Sequence, residues 1–153
     1  MSKRIKDEFY QCYASGEWYG EGAVQLDKKM VEKEVLISLL NLDPAKKIAV
    51  IYPHIFWDGT FFWGDDLFSN YQEWFIETIK AAIGNTKLNW IVKIHPANLT
   101  KALRDGYAAP QTEMEVIGDV IGELPANFCV LEADTEISTL SIHHLSDYCV
   151  TVR

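Results

Sequence analysis

Four short apolar runs, set between stretches of helical periodicity, constrain this chain more than any other feature. They are Lys47-Ile48-Ala49-Val50-Ile51-Tyr52, Asn89-Trp90-Ile91-Val92-Lys93-Ile94, Phe128-Cys129-Val130-Leu131 and Tyr148-Cys149-Val150-Thr151-Val152. None alternates polar with apolar residues, as a strand with one wet face would. Runs of this kind read as strands of a parallel sheet covered on both faces. The order strand, helix, strand, helix, strand, helix, strand calls for right-handed βαβ units. The expected fold is therefore α/β, an open parallel Rossmann-like sheet of four strands with flanking helices.

The intervening helices carry their own signals. After Asp27, a good N-cap, Val31, Val35 and Leu39 recur at helical spacing with Leu36 and Leu40 beside them, and Asn41-Leu42-Asp43-Pro44 ends the segment. Ser69 and Gln72 form a capping-box pattern ahead of Trp74, Phe75, Ile79 and Ile83, and Gly84 is a stop. Thr112 and Glu115 repeat that pattern before a stripe of Val116, Ile117, Val120, Ile121 and Leu124. A short helix follows from Ile137 to Leu145. Residues 1–24, with Gly16, Gly20 and Gly22 among Tyr10, Tyr13, Trp18 and Tyr19, lack any period and read as an irregular arm or interdomain linker. Residues 25–153 read as the Rossmann-like domain.

Composition narrows the partners. The net charge of −8 disfavours nucleic acid, because neutralising phosphates needs a basic surface. No apolar run approaches the ~18–20 residues of a membrane span. Met1-Ser2-Lys3-Arg4-Ile5-Lys6-Asp7 lacks the apolar core of a signal peptide. The odd, widely spaced set Cys12, Cys129 and Cys149 fits a reduced, cytoplasmic compartment.

Chemistry is expected at the carboxyl ends of the strands, where ligands of open parallel sheets bind. The connection after the first strand, Pro53 to Phe68, is far longer than the usual ~2–6 residues. It carries most of a local excess: 10 of the 19 aromatic residues fall between Tyr52 and Phe75. Aromatic faces beside polar groups suit sugar rings or nucleobases. His54, Trp57, Asp58 and Thr60 are the candidates there, while Phe61, Phe62 and Phe68 are expected to plug the loop onto the body. After the second strand, Lys93 and His95 precede Pro96, which ends strand pairing and turns His95 out at the loop edge; Asn98 follows. After the third strand, Asp134, Thr135 and Ser138 open a helix, where hydroxyls and backbone N–H groups serve either an anion or ordinary capping. His143 and His144 are adjacent, so they point about 100° apart on a helix and do not chelate one ion. Dinucleotide, P-loop, Cys-x-x-Cys and nucleophile-elbow motifs are absent. No metal site and no cofactor are expected.

Four strings resemble a known family in order: Pro53-His54-Ile55-Phe56-Trp57-Asp58-Gly59-Thr60-Phe61-Phe62-Trp63-Gly64, Lys93-Ile94-His95-Pro96-Ala97-Asn98-Leu99, Asp134-Thr135-Glu136-Ile137-Ser138 and Asp147-Tyr148-Cys149-Val150-Thr151-Val152-Arg153. They look like the carboxyl-terminal half of bacterial capsule polysaccharide biosynthesis proteins, which are similar to GT-B glycosyltransferases. The teichoic-acid glycerophosphotransferases share the Lys-x-His-Pro element. The resemblance covers about residues 25–153. It implies a nucleotide-sugar donor, a polysaccharide or lipid-linked acceptor, and no metal. It places Lys93, His95, Asn98, Asp134, Thr135, Ser138 and Arg153 at the donor cleft, and His54, Trp57, Asp58 and Thr60 facing the interdomain cleft. Direct transfer needs a base for the acceptor proton, and His54 is the candidate offered for it. Capsule assembly proceeds at the cytoplasmic face of the inner membrane, so peripheral association with that machinery is implied, although no residue here anchors the chain.

In that family the fourth element continues into a Gly-Thr or Ser-rich turn and a Glu-bearing helix, which this sequence does not contain. The fourth strand is read as a central one, so the chain is expected to be a fragment, inactive alone. Two other readings stand beside sugar transfer: glycerophosphate transfer of the teichoic-acid type, and a non-catalytic module that binds a glycan or a protein.

Overall fold

The computed structural model describes residues 28–56, 67–97, 99, 106 and 111–152. Their order is α1 (Lys33–Leu39), β1 (Lys47–Tyr52), α2 (Tyr71–Ile83), β2 (Leu88–Lys93), α3 (Glu113–Val116, continued by a π-helical turn Ile117–Ile121), β3 (Phe128–Leu131), α4 (Thr139–Leu145) and β4 (Tyr148–Thr151). The strands form an open, all-parallel sheet in the order β3-β2-β1-β4. This is the expected Rossmann-like α/β architecture.

Strand alternation sorts the core into two layers. Ala49, Ile51, Trp90 and Val92 face α2 and α3, where Trp74, Phe75, Ile79, Val116 and Ile117 are buried, with Phe128 and Val130 packed alongside. Ile48, Val50, Ile91 and Leu131 face α1 and α4, where Leu36, Ile142 and Leu145 are buried. The pairings Val50 with Ile91 and Ile91 with Cys129 hold the α1–α4 face in register, and Ala49 with Trp90 and Trp90 with Phe128 hold the other. Burying one such side chain contributes about 1.5–3 kcal/mol, so both layers are needed to hold the sheet.

Polar side chains close the amino-terminal edge. Asn89 is buried and bonds the Asp43 backbone in both directions, donating to its carbonyl at 2.8 Å and accepting from its N–H at 3.1 Å. The Asp147 carboxylate accepts the Ile48 N–H at 2.8 Å, while the Asp147 N–H donates to the Ile48 carbonyl at 2.8 Å. Together these fix where β4 joins β1.

Several local expectations shift. α1 has Glu32 at its N-cap with no side-chain cap, and Asp27 lies outside the described residues. Leu36 is fully buried, whereas Val35 and Leu39 are 55% and 63% exposed. Two adjacent apolar stripes ran along this two-turn helix, and helical period alone does not say which faces inward. The cap of α2 is Asn70, not Ser69: its side chain accepts from the Glu73 N–H, and the Glu73 carboxylate accepts from the Ser69 N–H. The Thr112–Glu115 capping box forms as read. Beyond it the helix widens to i→i+5 bonding, which rotates Val120 to 47% exposure. Ile137 is held in a parallel bridge to Lys29, so α4 begins later, with Ser138 as its cap.

β4 is an edge of the described sheet, not an inner strand, and Tyr148, Cys149 and Thr151 are exposed. α4 packs on the face opposite α2 and α3, so the β3–α4–β4 crossover carries the chain back past β2 to the far side of β1. Among the described residues no helix is long and apolar enough to cross a membrane.

Candidate functional site

The sheet order places the reversal of winding between β1 and β4, whose carboxyl ends meet at the pair Tyr52 and Thr151. Connections leave such a point in opposite directions and open a crevice outside the strand ends. The described beginning of the β1–α2 connection is firmly seated. Pro53 and Ile55 are buried, and Phe56 packs on Phe75 with ring centroids 5.5 Å apart. Phe68 also packs on the α2 layer, as a plug should.

Between those anchors His54 is half-buried. Its ring stacks on Tyr71 with centroids 4.5 Å apart, and the His95 ring lies nearly parallel to it at 6.4 Å. Tyr71 is the first residue of α2, so the Asn70 cap sets the platform under His54. His95 is exposed just beyond β2, where its Nδ1 accepts the Ala97 N–H at 3.0 Å. That bond puts the proton of the neutral ring on Nε2. Two strand-end histidines, 41 positions apart in sequence, are thus brought to one place.

Lys93 takes a different direction. Only 4% exposed, it lies on the α1–α4 face, and its Nζ donates to the Ile94 carbonyl at 2.7 Å and to Glu132 at 3.4 Å. Burial holds its pKa down to about 8, helped by the nearby Lys28 charge and opposed by Asp134. Lys28 is itself buried; its Nζ donates to the Ala133 carbonyl at 3.0 Å and to the Thr135 carbonyl. Burial lowers its pKa too, and Asp134 counteracts this. Two ammonium groups therefore stake down the β3–α4 connection through backbone carbonyls, with the exposed Asp134 carboxylate as their counter-charge. Lys93 and His95 lie in different surroundings, one buried and one exposed. β2 ends at Lys93, so the two-residue alternation that would have aligned them does not continue.

The Asp134–Ser138 segment is occupied by local bonding. Thr135 Oγ1 accepts from the Ile137 N–H at 3.4 Å, and Ser138 Oγ accepts from the Leu140 N–H at 3.3 Å. A local turn occupies the Thr135 hydroxyl and capping the Ser138 hydroxyl, and α4 has only two turns. Trp57, Asp58, Thr60, Asn98 and Arg153 lie outside the described residues, as do Phe61 and Phe62. Among the described residues no three His, Cys, Asp or Glu side chains come together as a metal site.

No family model, curated protein or solved structure matches the chain. The geometry therefore stands on its own. It brings two histidines and a tyrosine together on the α2 side of the strand ends and sets two lysines behind the β3–α4 connection. Imidazole Nε2–H groups donate to phosphate or hydroxyl oxygens, a neutral imidazole accepts a proton, and stacked rings offer apolar faces to a base or sugar. Sequence reading missed Lys28. It lies 105 positions from the Ala133 carbonyl that it binds, and nothing in the local pattern distinguishes it from its exposed neighbour Lys29.

Proposed function

We propose that the chain is the donor-binding part of a cytoplasmic glycosyl-transferring enzyme of capsule or surface polysaccharide synthesis, with a nucleotide-activated sugar bound at the carboxyl ends of the strands. The observation that supports this reading is the meeting of His54 and His95 over Tyr71 beside the β1–β4 reversal. It is the position at which open parallel sheets bind nucleotides. In this reading His95 donates to a donor phosphate or ribose oxygen. His54, held by Tyr71, faces the acceptor side and is the candidate base for its hydroxyl proton. Lys28 and Lys93 act one step back: they hold the Asp134–Ser138 connection in place and add positive potential behind the phosphates. The resemblance to capsule polysaccharide proteins in the four strings supports the substrate class.

Titration calorimetry of the chain against UDP-glucose, GDP-mannose and CDP-glycerol tests the reading. Saturable binding of one nucleotide sugar, weakened tenfold or more by His95→Ala, supports it. Binding of CDP-glycerol alone replaces sugar transfer with glycerophosphate transfer, and the absence of binding by all three removes the donor-domain reading.

A further inference from the structure

A second cluster of reactive side chains lies apart from the histidine pair, on the α4 side of the edge strand. Cys149 is exposed on β4, opposite Val50 in register. Its Sγ lies 3.5 Å from Ser146 Oγ and 4.0 Å from His143 Nδ1. The Ser146 hydroxyl donates to the His143 carbonyl at 2.9 Å, so its oxygen turns a lone pair toward the thiol. His143 is held in turn by Tyr52, whose ring stacks on it with centroids 4.8 Å apart and whose hydroxyl lies 3.2 Å from the same Nδ1. Three elements, β1, α4 and β4, thus converge on one thiol and one imidazole. Burial and the neighbouring His144 push the His143 pKa down, which favours the neutral ring, the form that accepts a proton. Cys129 has the opposite surroundings: it is half-buried on β3, and burial raises its thiol pKa. The thiolate is the reactive form of cysteine, so a base within reach separates the two thiols in chemistry as well as in access.

We propose that Cys149 is a thiol-exchange site served by His143, at which a low-molecular-weight disulfide forms a mixed disulfide with the protein. The Cys149 proton passes to His143 Nδ1, and the thiolate sulfur attacks one sulfur of the small disulfide. A new S–S bond forms as the old one breaks. The departing thiolate takes the proton back from His143. Cys149 is oxidised, half of the small disulfide is reduced, and no other oxidant is required. Tyr52 orients the imidazole and competes with the thiol for Nδ1.

The test uses glutathione disulfide on the full chain carrying Cys12→Ser, with peptide mass mapping and each rate divided by that of the same chain unfolded in urea. The expected result is a mixed disulfide at Cys149 rather than Cys129, formed faster in the native chain than in the unfolded one. His143→Gln lowers the native rate roughly tenfold, less than the ~100-fold or more of a positioned base elsewhere, because a free thiol is already a few per cent thiolate at pH 7. Tyr52→Phe keeps the stacked ring but removes the competing donor, so its rate equals or exceeds that of the starting chain. Modification at Cys129 in preference, or an unchanged rate in His143→Gln, overturns the proposal. If His143→Gln does not fold, the native-to-unfolded ratio at Cys149 decides: above one supports the proposal, and one or less overturns it.

Discussion

The two faces of the sheet are built differently. On the α2–α3 side every buried strand position is apolar, and the layer is filled by large rings: Trp74, Phe75, Trp90 and Phe128. On the α1–α4 side the layer is aliphatic, and β2 alone contributes Asn89 at one end and Lys93 at the other around Ile91. One face spends its buried surface on packing. The other carries buried polar groups at both ends and the Tyr52–His143–Cys149 cluster at its edge. The histidine pair stands at the carboxyl-end rim of the ring-filled face, where Tyr71 supplies a rigid platform. In this molecule the rigid packing lies under the candidate site, and the buried charge lies behind it.

That contrast breaks most readily at Phe75, which is fully buried. Phe75→Ala is expected to cost about 3–5 kcal/mol in chemical denaturation, because a ring-sized cavity opens under both Phe56 and the strand layer. Lys93 gives the next largest effect and a sign that no apolar position shows. Its folded-state pKa, about 8, lies below the ordinary 10.5. The unfolded chain therefore binds more protons between those values, and stability rises with pH across that window as the buried charge is relieved. The gain is at most about 3 kcal/mol, from the energy of one pKa unit. Denaturation midpoints measured from pH 8 to 10.5 show the rise in the parent chain and lose it in Lys93→Met. Thr112→Ala, which removes the N-cap hydroxyl of α3, is expected to cost about 1 kcal/mol. Lys29→Ala breaks an ion pair with Glu136 that is exposed on both sides, and no change in midpoint is expected.

Much of the ring-filled face was legible in sequence. β1 and β3 have the limits their apolar runs indicated, because a run of four to six mostly apolar residues without polar alternation fits little else. The capping box at Thr112 was legible because both partners are local. The aliphatic face was harder to read. The inward stripe of α1 went to Leu36, because both of its neighbouring stripes were apolar and only tertiary packing chose between them. β4 reads like an inner strand, since Cys149 and Val150 are as apolar as an inner strand would be, yet edge position depends on sheet order rather than composition. His54 and His95 were marked by their places after strands, but not their nearness to each other. Lys28 was invisible because its partners are carbonyls more than a hundred positions away, and backbone carbonyls leave no trace in sequence.

The proposed ligand position is the carboxyl ends of the strands, beside His54 and His95. Amide chemical-shift mapping of the labelled chain during titration with UDP tests it directly. Saturable shifts are expected in residues 54–56, in Ile94, His95 and Ala97, and in residues 132–138, with the amino-terminal edge around Asn85, Leu88 and Asn127 unmoved. Shifts confined to that opposite edge, or none at all with UDP, GDP or CDP, would contradict it.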